Sequence, residues 1–112
     1  MITLEKLKEI IIIFFQSIPC NVEIYLFGSF LKGDKTRPAD IDLALKFSTV
    51  SSEDARTVLA CEYFESWESY LSERIGMRAH LSLYEDDDKY IPESLKEASL
   101  LLYRSTGKED EL

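Results

Sequence analysis

Apolar residues recur along this chain with two different periods, and the changes of period mark its elements. From Thr3 to Ser17, Leu4, Leu7, Ile10, Ile11 and Phe14 fall at helical spacing, and Thr3 can cap the first turn. Ile12, Ile13 and Phe15 occupy the rest of that cylinder, so apolar surface is expected to face outward near the helix end. Pro19-Cys20-Asn21 stops the helix, and Val22–Phe27 reads as a strand containing β-branched Val22 and Ile24. A short helix is expected over Ser29–Lys32, then a Gly- and Pro-bearing loop over 33–39. Ile41–Phe47 is apolar except at Asp42 and Lys46, which predicts a strand covered on both faces. Ser51 or Ser52 caps a long helix over Glu53–Ile75, ended by Gly76. Its best apolar face is Ala55, Val58, Leu59, Phe64, Leu71 and Ile75, with Trp67 at the edge.

Met77–Tyr84 alternates, with Met77, Ala79, Leu81 and Leu83 on one face and Arg78, His80, Ser82 and Tyr84 on the other. An acidic turn over 85–89, a short helix over Pro92–Ala98 and a last strand over Leu100–Tyr103 follow. Residues 105–112 lack an apolar anchor except Leu112 and read as a frayed tail beyond one domain spanning 1–104. The order αβαβαβα predicts an α/β (α+β) fold, a small mixed sheet with helices mainly on one face.

With 112 residues, this domain can bury one core and leave a shallow cleft. Six phenylalanines, six tyrosines and a tryptophan suit a packed globule. The net charge of −8 repels nucleic acid except through a local basic patch. Lys32, Lys35 and Arg37 form such a patch, which is either a solvated loop or a contact to a phosphate. Cys20 and Cys61 lack metal spacing and read as free buried thiols of a cytoplasmic protein. The run Ile10–Phe15 is too short to span a bilayer.

The candidate chemistry lies between the first two strands. Gly28-Ser29 follows the first strand, ten residues separate Ser29 from Asp40, and Asp40-Ile41-Asp42 opens the second. Gly allows a sharp turn and close approach of a phosphate. The Ser hydroxyl and neighbouring N–H groups can donate to phosphate oxygens. Two carboxylates two apart on a strand share a face and suit Mg²⁺. Each residue alone fits a capping turn beside an exposed Asp pair, but their joint spacing does not.

This arrangement resembles the Gly-Ser-x10-Asp-x-Asp signature of the DNA polymerase beta superfamily of nucleotidyltransferases. It is most similar to the small stand-alone members, the minimal nucleotidyltransferases; the flanking Leu26-Phe27, Lys32-Gly33-Asp34 and Asp40-Ile41-Asp42-Leu43 also fit. The resemblance implies ATP as substrate, Mg²⁺ at Asp40 and Asp42, and nucleotide contacts at Gly28, Ser29 and Lys32. It also implies a third carboxylate on a later strand, but alignment places His80 there. Glu85, five residues on, faces the opposite way on a regular strand. A neutral His80 could serve as general base or ligate a softer metal, and a lone histidine can equally be structural.

Family members of this type often pair with an all-helical HEPN protein, frequently a ribonuclease toxin, and some adenylylate its tyrosine. The resemblance therefore implies an antitoxin that transfers AMP to a partner hydroxyl. The alternative is an inactive nucleotidyltransferase-fold module that neutralises a partner by docking, which His80 favours. Transfer to an antibiotic or another small molecule fits less well, because such relatives carry an additional acceptor-gripping domain. Apolar surface around Ile12, Ile13, Phe15 and Trp67 is expected to meet the partner or a second copy of the chain.

Overall fold

The computed structural model describes residues 2–18, 21–32, 40–47, 53–84 and 99–105, without the side chains of Ser29, Lys32 and residues 53–59. The elements are α1 (Leu4–Gln16), β1 (Val22–Phe27), α2 (Ser29–Lys32), β2 (Ile41–Phe47), α3 (Glu53–Ile75), β3 (Ala79–Leu83) and β4 (Ser99–Arg104). The expected turn over 85–89, the helix over 92–98 and the loop over 33–39 lie outside the described residues.

Among the described residues, four strands form one sheet in the order β3-β2-β1-β4. The central pair is antiparallel, with Leu26 opposite Leu43 and Phe27 opposite Asp42. β4 is antiparallel to β1, and the register shifts between Ile24 and Tyr25, leaving Leu102 as an extra residue on β4. β3 is parallel to β2, which requires a long crossover, and α3 supplies it.

One face of the sheet carries the core. Val22, Ile24 and Leu26 join Ile41, Leu43 and Leu45 and, from β3, Ala79 and Leu81. α1 covers this face with Leu7, Ile11 and Phe15; α3 covers it with Phe64, Trp67, Leu71 and Ile75. An aromatic cluster joins the two helices, with Trp67 edge-on to Phe14 at 6.0 Å and to Phe15 at 5.9 Å. The other face carries Glu23, Tyr25, Asp42, Lys46, His80 and Ser82, and Ala44 is buried there against Tyr25 and Tyr84. β2 is thus covered on both faces only at its middle, because Asp42 and Lys46 remain half-buried.

Two expected caps form, and the expected cap of α3 at Ser51 or Ser52 lies outside the described residues. The Thr3 hydroxyl accepts the Lys6 N–H at 3.1 Å. Gly76 has φ +80 and its N–H donates to Ser72 O at 2.9 Å, which closes α3.

Several expectations are corrected. The buried stripe of α1 is Leu7, Ile11 and Phe15, while Leu4 is exposed and Phe14 only half-buried. Phe15 and Trp67 therefore belong to the core and not to an outward surface. Six consecutive apolar residues give a helix no unique phase, and packing against Trp67 sets it. Ile13 is 64% exposed and does face outward. It lines an open groove of about 170 Å³ between α1 and α3 with Lys6, Glu9, Phe14, Tyr70 and Arg74. Cys61 is a free thiol but exposed, on the outer side of α3, and Cys20 lies outside the described residues. β3 is shorter than the alternation of 77–84 predicts. Ser105, expected in the frayed tail, is buried: its hydroxyl accepts the Val22 N–H at 2.9 Å and its own N–H donates to Val22 O at 3.0 Å. Among the described residues, no helix is long and apolar enough to cross a membrane.

Candidate functional site

β1 ends at Phe27 and the chain turns at Gly28, which has φ +82. Only glycine takes this conformation without strain. A Cβ at this position would also collide with the Asp42 Oδ2 and lie 3.2 Å from the Asp42 Cγ. The backbone at Gly28 is therefore packed directly on the Asp42 carboxylate. That contact follows from the sheet register, since Phe27 is the partner of Asp42 and Gly28 is the next residue. Single-turn α2 starts at once with Ser29 and ends with Lys32, so these two of the three expected nucleotide contacts flank the same turn. Their side-chain positions lie outside the described residues.

Asp42 is half-buried on the face opposite the core. Burial raises its carboxyl above the usual Asp range; the charge of His80 opposes this rise and that of Asp40 adds to it. Asp40 lies just ahead of β2, exposed. The two aspartates thus share one electrostatic site. Parallel pairing puts His80 of β3 in register with Asp42 of β2, so the two side chains leave the sheet on one face.

The His80 side chain is 53% exposed, with its Nδ1 3.5 Å from the Glu68 Oε2. Glu68, on α3, is absent from the sequence reading. Its only sequence signal is its place beside Trp67 on the flank of the buried stripe of α3. Next to it along α3, the Ser72 hydroxyl accepts the Ala79 N–H at 2.8 Å and fixes the start of β3. Among the described residues, no group of three His, Cys, Asp or Glu side chains converges closely enough to cage a metal. Asp40 and Asp42 instead form a two-carboxylate set. That donor set fits Mg²⁺, which is usually held by one or two carboxylates together with substrate phosphates.

Beyond Asp42 the same face carries polar and aromatic groups. Tyr25 and Tyr84 stack with ring centroids 5.5 Å apart. Lys46 Nζ lies 5.7 Å from the Tyr84 centroid. The Tyr25 hydroxyl donates to Glu23 Oε2 at 2.7 Å, and Arg104 Nε lies 3.0 Å from Glu23 Oε1. Burial, then the Glu23 carboxylate, raises the Tyr25 hydroxyl pKa.

The mixed sheet of the described residues, four strands with helices on one face, matches a nucleotidyltransferase-type fold. The chain matches the nucleotidyltransferase domain family over residues 4–102, and it belongs to that family. Two crystal structures share its fold. One is a toxin–antitoxin with AMP-PNP, 22% identical, with a TM-score of 0.59 over 88% of this chain and 73% of that one. The other is the toxin–antitoxin MntA-HpeT with two aspartates, two positions apart, changed to glutamate; it is 20% identical, with a TM-score of 0.59 and the same coverage. No curated protein sequence matches this chain significantly.

Proposed function

We propose that this chain is a minimal nucleotidyltransferase of the antitoxin type. It binds Mg-ATP over the Gly28 turn and transfers AMP to a hydroxyl, a tyrosine by preference, of a HEPN-type helical toxin in the cytoplasm. The observation that carries this reading is the contact of the left-handed Gly28 with the Asp42 carboxylate, with His80 in register beside it. A glycine turn without side chain leaves room for a triphosphate next to the acidic group that its cation needs. The folds it shares add support: one was crystallised with AMP-PNP, an ATP analogue, and the other carries changes at an Asp-x-Asp pair.

In this reading Asp40 and Asp42 hold Mg²⁺, and Ser29 and Lys32 bind the triphosphate. When bound, the cation neutralises phosphate charge and charge on the departing pyrophosphate. The chain's own residues orient the nucleotide and leave the open sheet face to the acceptor. A 112-residue domain has little room to enclose an acceptor, which suits a protein hydroxyl.

A second reading is favoured by one observation. His80 stands in register with Asp42, where the family resemblance implies a carboxylate, and in this reading the chain binds nucleotide and neutralises its toxin by docking alone. One experiment separates the two. Purified chain, its co-encoded toxin and α-phosphate-labelled ATP with Mg²⁺ are incubated and the toxin is analysed for label. Transfer that is lost in the D40N/D42N double variant supports the enzyme. A stable unlabelled complex that neutralises the toxin equally well with the double variant supports docking.

A further inference from the structure

His80 is the one histidine of the chain, and a half-buried carboxylate lies against one nitrogen of its ring. Glu68 is 27% exposed and its Oε2 is 3.5 Å from Nδ1. Among the described residues, no other carboxylate comes within 4.0 Å of the His80 ring nitrogens, although Asp42 interacts with the ring electrostatically from the neighbouring strand. The approach is held by backbone on both sides. Ser72, one helical turn after Glu68, takes the N–H of Ala79, the residue before His80. On its other side, β3 is bonded to β2 through the ladder that sets His80 beside Asp42. α3 and β3 therefore present carboxylate and ring to each other in a fixed register.

We propose that Glu68 is the positioning residue of His80. A neutral imidazole carries one ring proton, and a carboxylate beside Nδ1 accepts it there. The lone pair is then on Nε2, the other nitrogen of the ring. This is how a carboxylate fixes the tautomer and orientation of a functional histidine. His80 thereby becomes a hydrogen-bond acceptor beside the nucleotide site, where a mobile ring would present either nitrogen.

The catalytic consequence rests on the nucleotidyl-transfer reading. The acceptor hydroxyl oxygen attacks the α-phosphorus, and a new P–O bond forms. The bond from the α-phosphorus to the bridging oxygen breaks, and its electron pair leaves with pyrophosphate. The hydroxyl proton passes to Nε2, and the ring, held at Nδ1 by Glu68, later releases it to water. Charge and atoms balance as ATP plus hydroxyl giving the AMP ester, pyrophosphate and one proton.

The test needs neither ATP nor acceptor. Because the chain has one histidine, nitrogen-15 NMR of the full-length protein reports its two ring nitrogens alone, at a pH well above the ordinary imidazole range. The parent is expected to show mainly the Nδ1–H form. Glu68→Ala should return the ring to the Nε2–H form favoured by a free imidazole side chain, and Glu68→Gln, whose carbonyl can also accept, should keep part of the parental signature. A parent ring already in the Nε2–H form, or a ring unchanged by Glu68→Ala, overturns the proposal. In an active parent, Glu68→Ala should lower kcat by roughly tenfold or more with KM for ATP near parental. An inactive parent with the Nδ1–H ring removes transfer and leaves the positioning standing; an active parent with the Nε2–H ring does the reverse.

Discussion

Substituting Gly28 by alanine separates two costs that this turn imposes. Gly28 and Gly76 have nearly the same φ, +82 and +80. An L-residue in that region costs about 1–2 kcal/mol, offset by about 0.4–1 kcal/mol of lost unfolded-state freedom. At Gly76 the new Cβ meets nothing within 4 Å, so Gly76→Ala should cost about 0.5–1.5 kcal/mol in all. At Gly28 the same backbone cost applies, and the Cβ also strikes the Asp42 carboxylate, with Cγ at 3.2 Å and Cβ at 3.4 Å. The carboxylate must turn away from its preferred rotamer, which adds about 0.5–1.5 kcal/mol. Urea unfolding with a common m-value measures the gap between the two variants. The gap should close when both are made in an Asp42→Ala background, because the added methyl then meets no carboxylate. The displaced carboxylate should also weaken Mg-ATP binding by at least about tenfold in calorimetry, equivalent to about 1.4 kcal/mol. If Gly28→Ala is no more destabilising than Gly76→Ala, or the gap persists without the Asp42 side chain, the packing of the turn on the carboxylate is not what the site is built on.

Asp42 should make stability depend on pH in a defined direction. Its folded-state pKa lies above the unfolded value of 3.8, so the folded chain holds the proton more tightly and loses stability as pH rises from 3.8 through the raised value. Asp42→Asn should therefore be more stable than the parent at neutral pH, with the gain vanishing below pH 3.8, as read from urea midpoints across a pH series. Phe15→Ala should cost about 3–5 kcal/mol because it empties a fully buried position against Trp67, whereas Ile13→Ala should stay within about 0.5 kcal/mol in the same titration. Ser105→Ala should cost about 1–3 kcal/mol by leaving the buried Val22 N–H without its acceptor, measured by thermal unfolding.

The strands and the long helix are written plainly in the chain. β-branched Val22 and Ile24 mark Val22–Phe27, the apolar run marks Ile41–Phe47, and Gly76 stops α3 where a left-handed residue is needed. Gly28, Asp40 and Asp42 are legible because their spacing is local and their types are chemically specific. The face of α1 is not legible, since Ile10 to Phe15 are apolar all round and only the position of Trp67 decides which of them turn inward. Glu68 is invisible for a different reason: its meaning depends on how far α3 runs before β3 begins, and no local pattern states that. The partnership of Asp42 with His80 lies between, readable only by aligning two distant strands, and the parallel register supplies it directly.

The strand order has a consequence for how the site can open and diverge. Gly28 directly follows one of the two middle strands and Asp42 lies on the other, and these strands are paired on both sides, while among the described residues His80 lies on an edge strand paired on one. Local opening starts where one ladder suffices to hold a strand, so hydrogen exchange should be faster in β3 than in β1 or β2. Peeling β3 away removes the histidine and leaves the glycine–aspartate contact whole. The residue at position 80 can thus be exchanged at small cost to the fold, and, on the proposed reading, the Gly28–Asp42 contact can persist through changes at the residue that would take part in transfer.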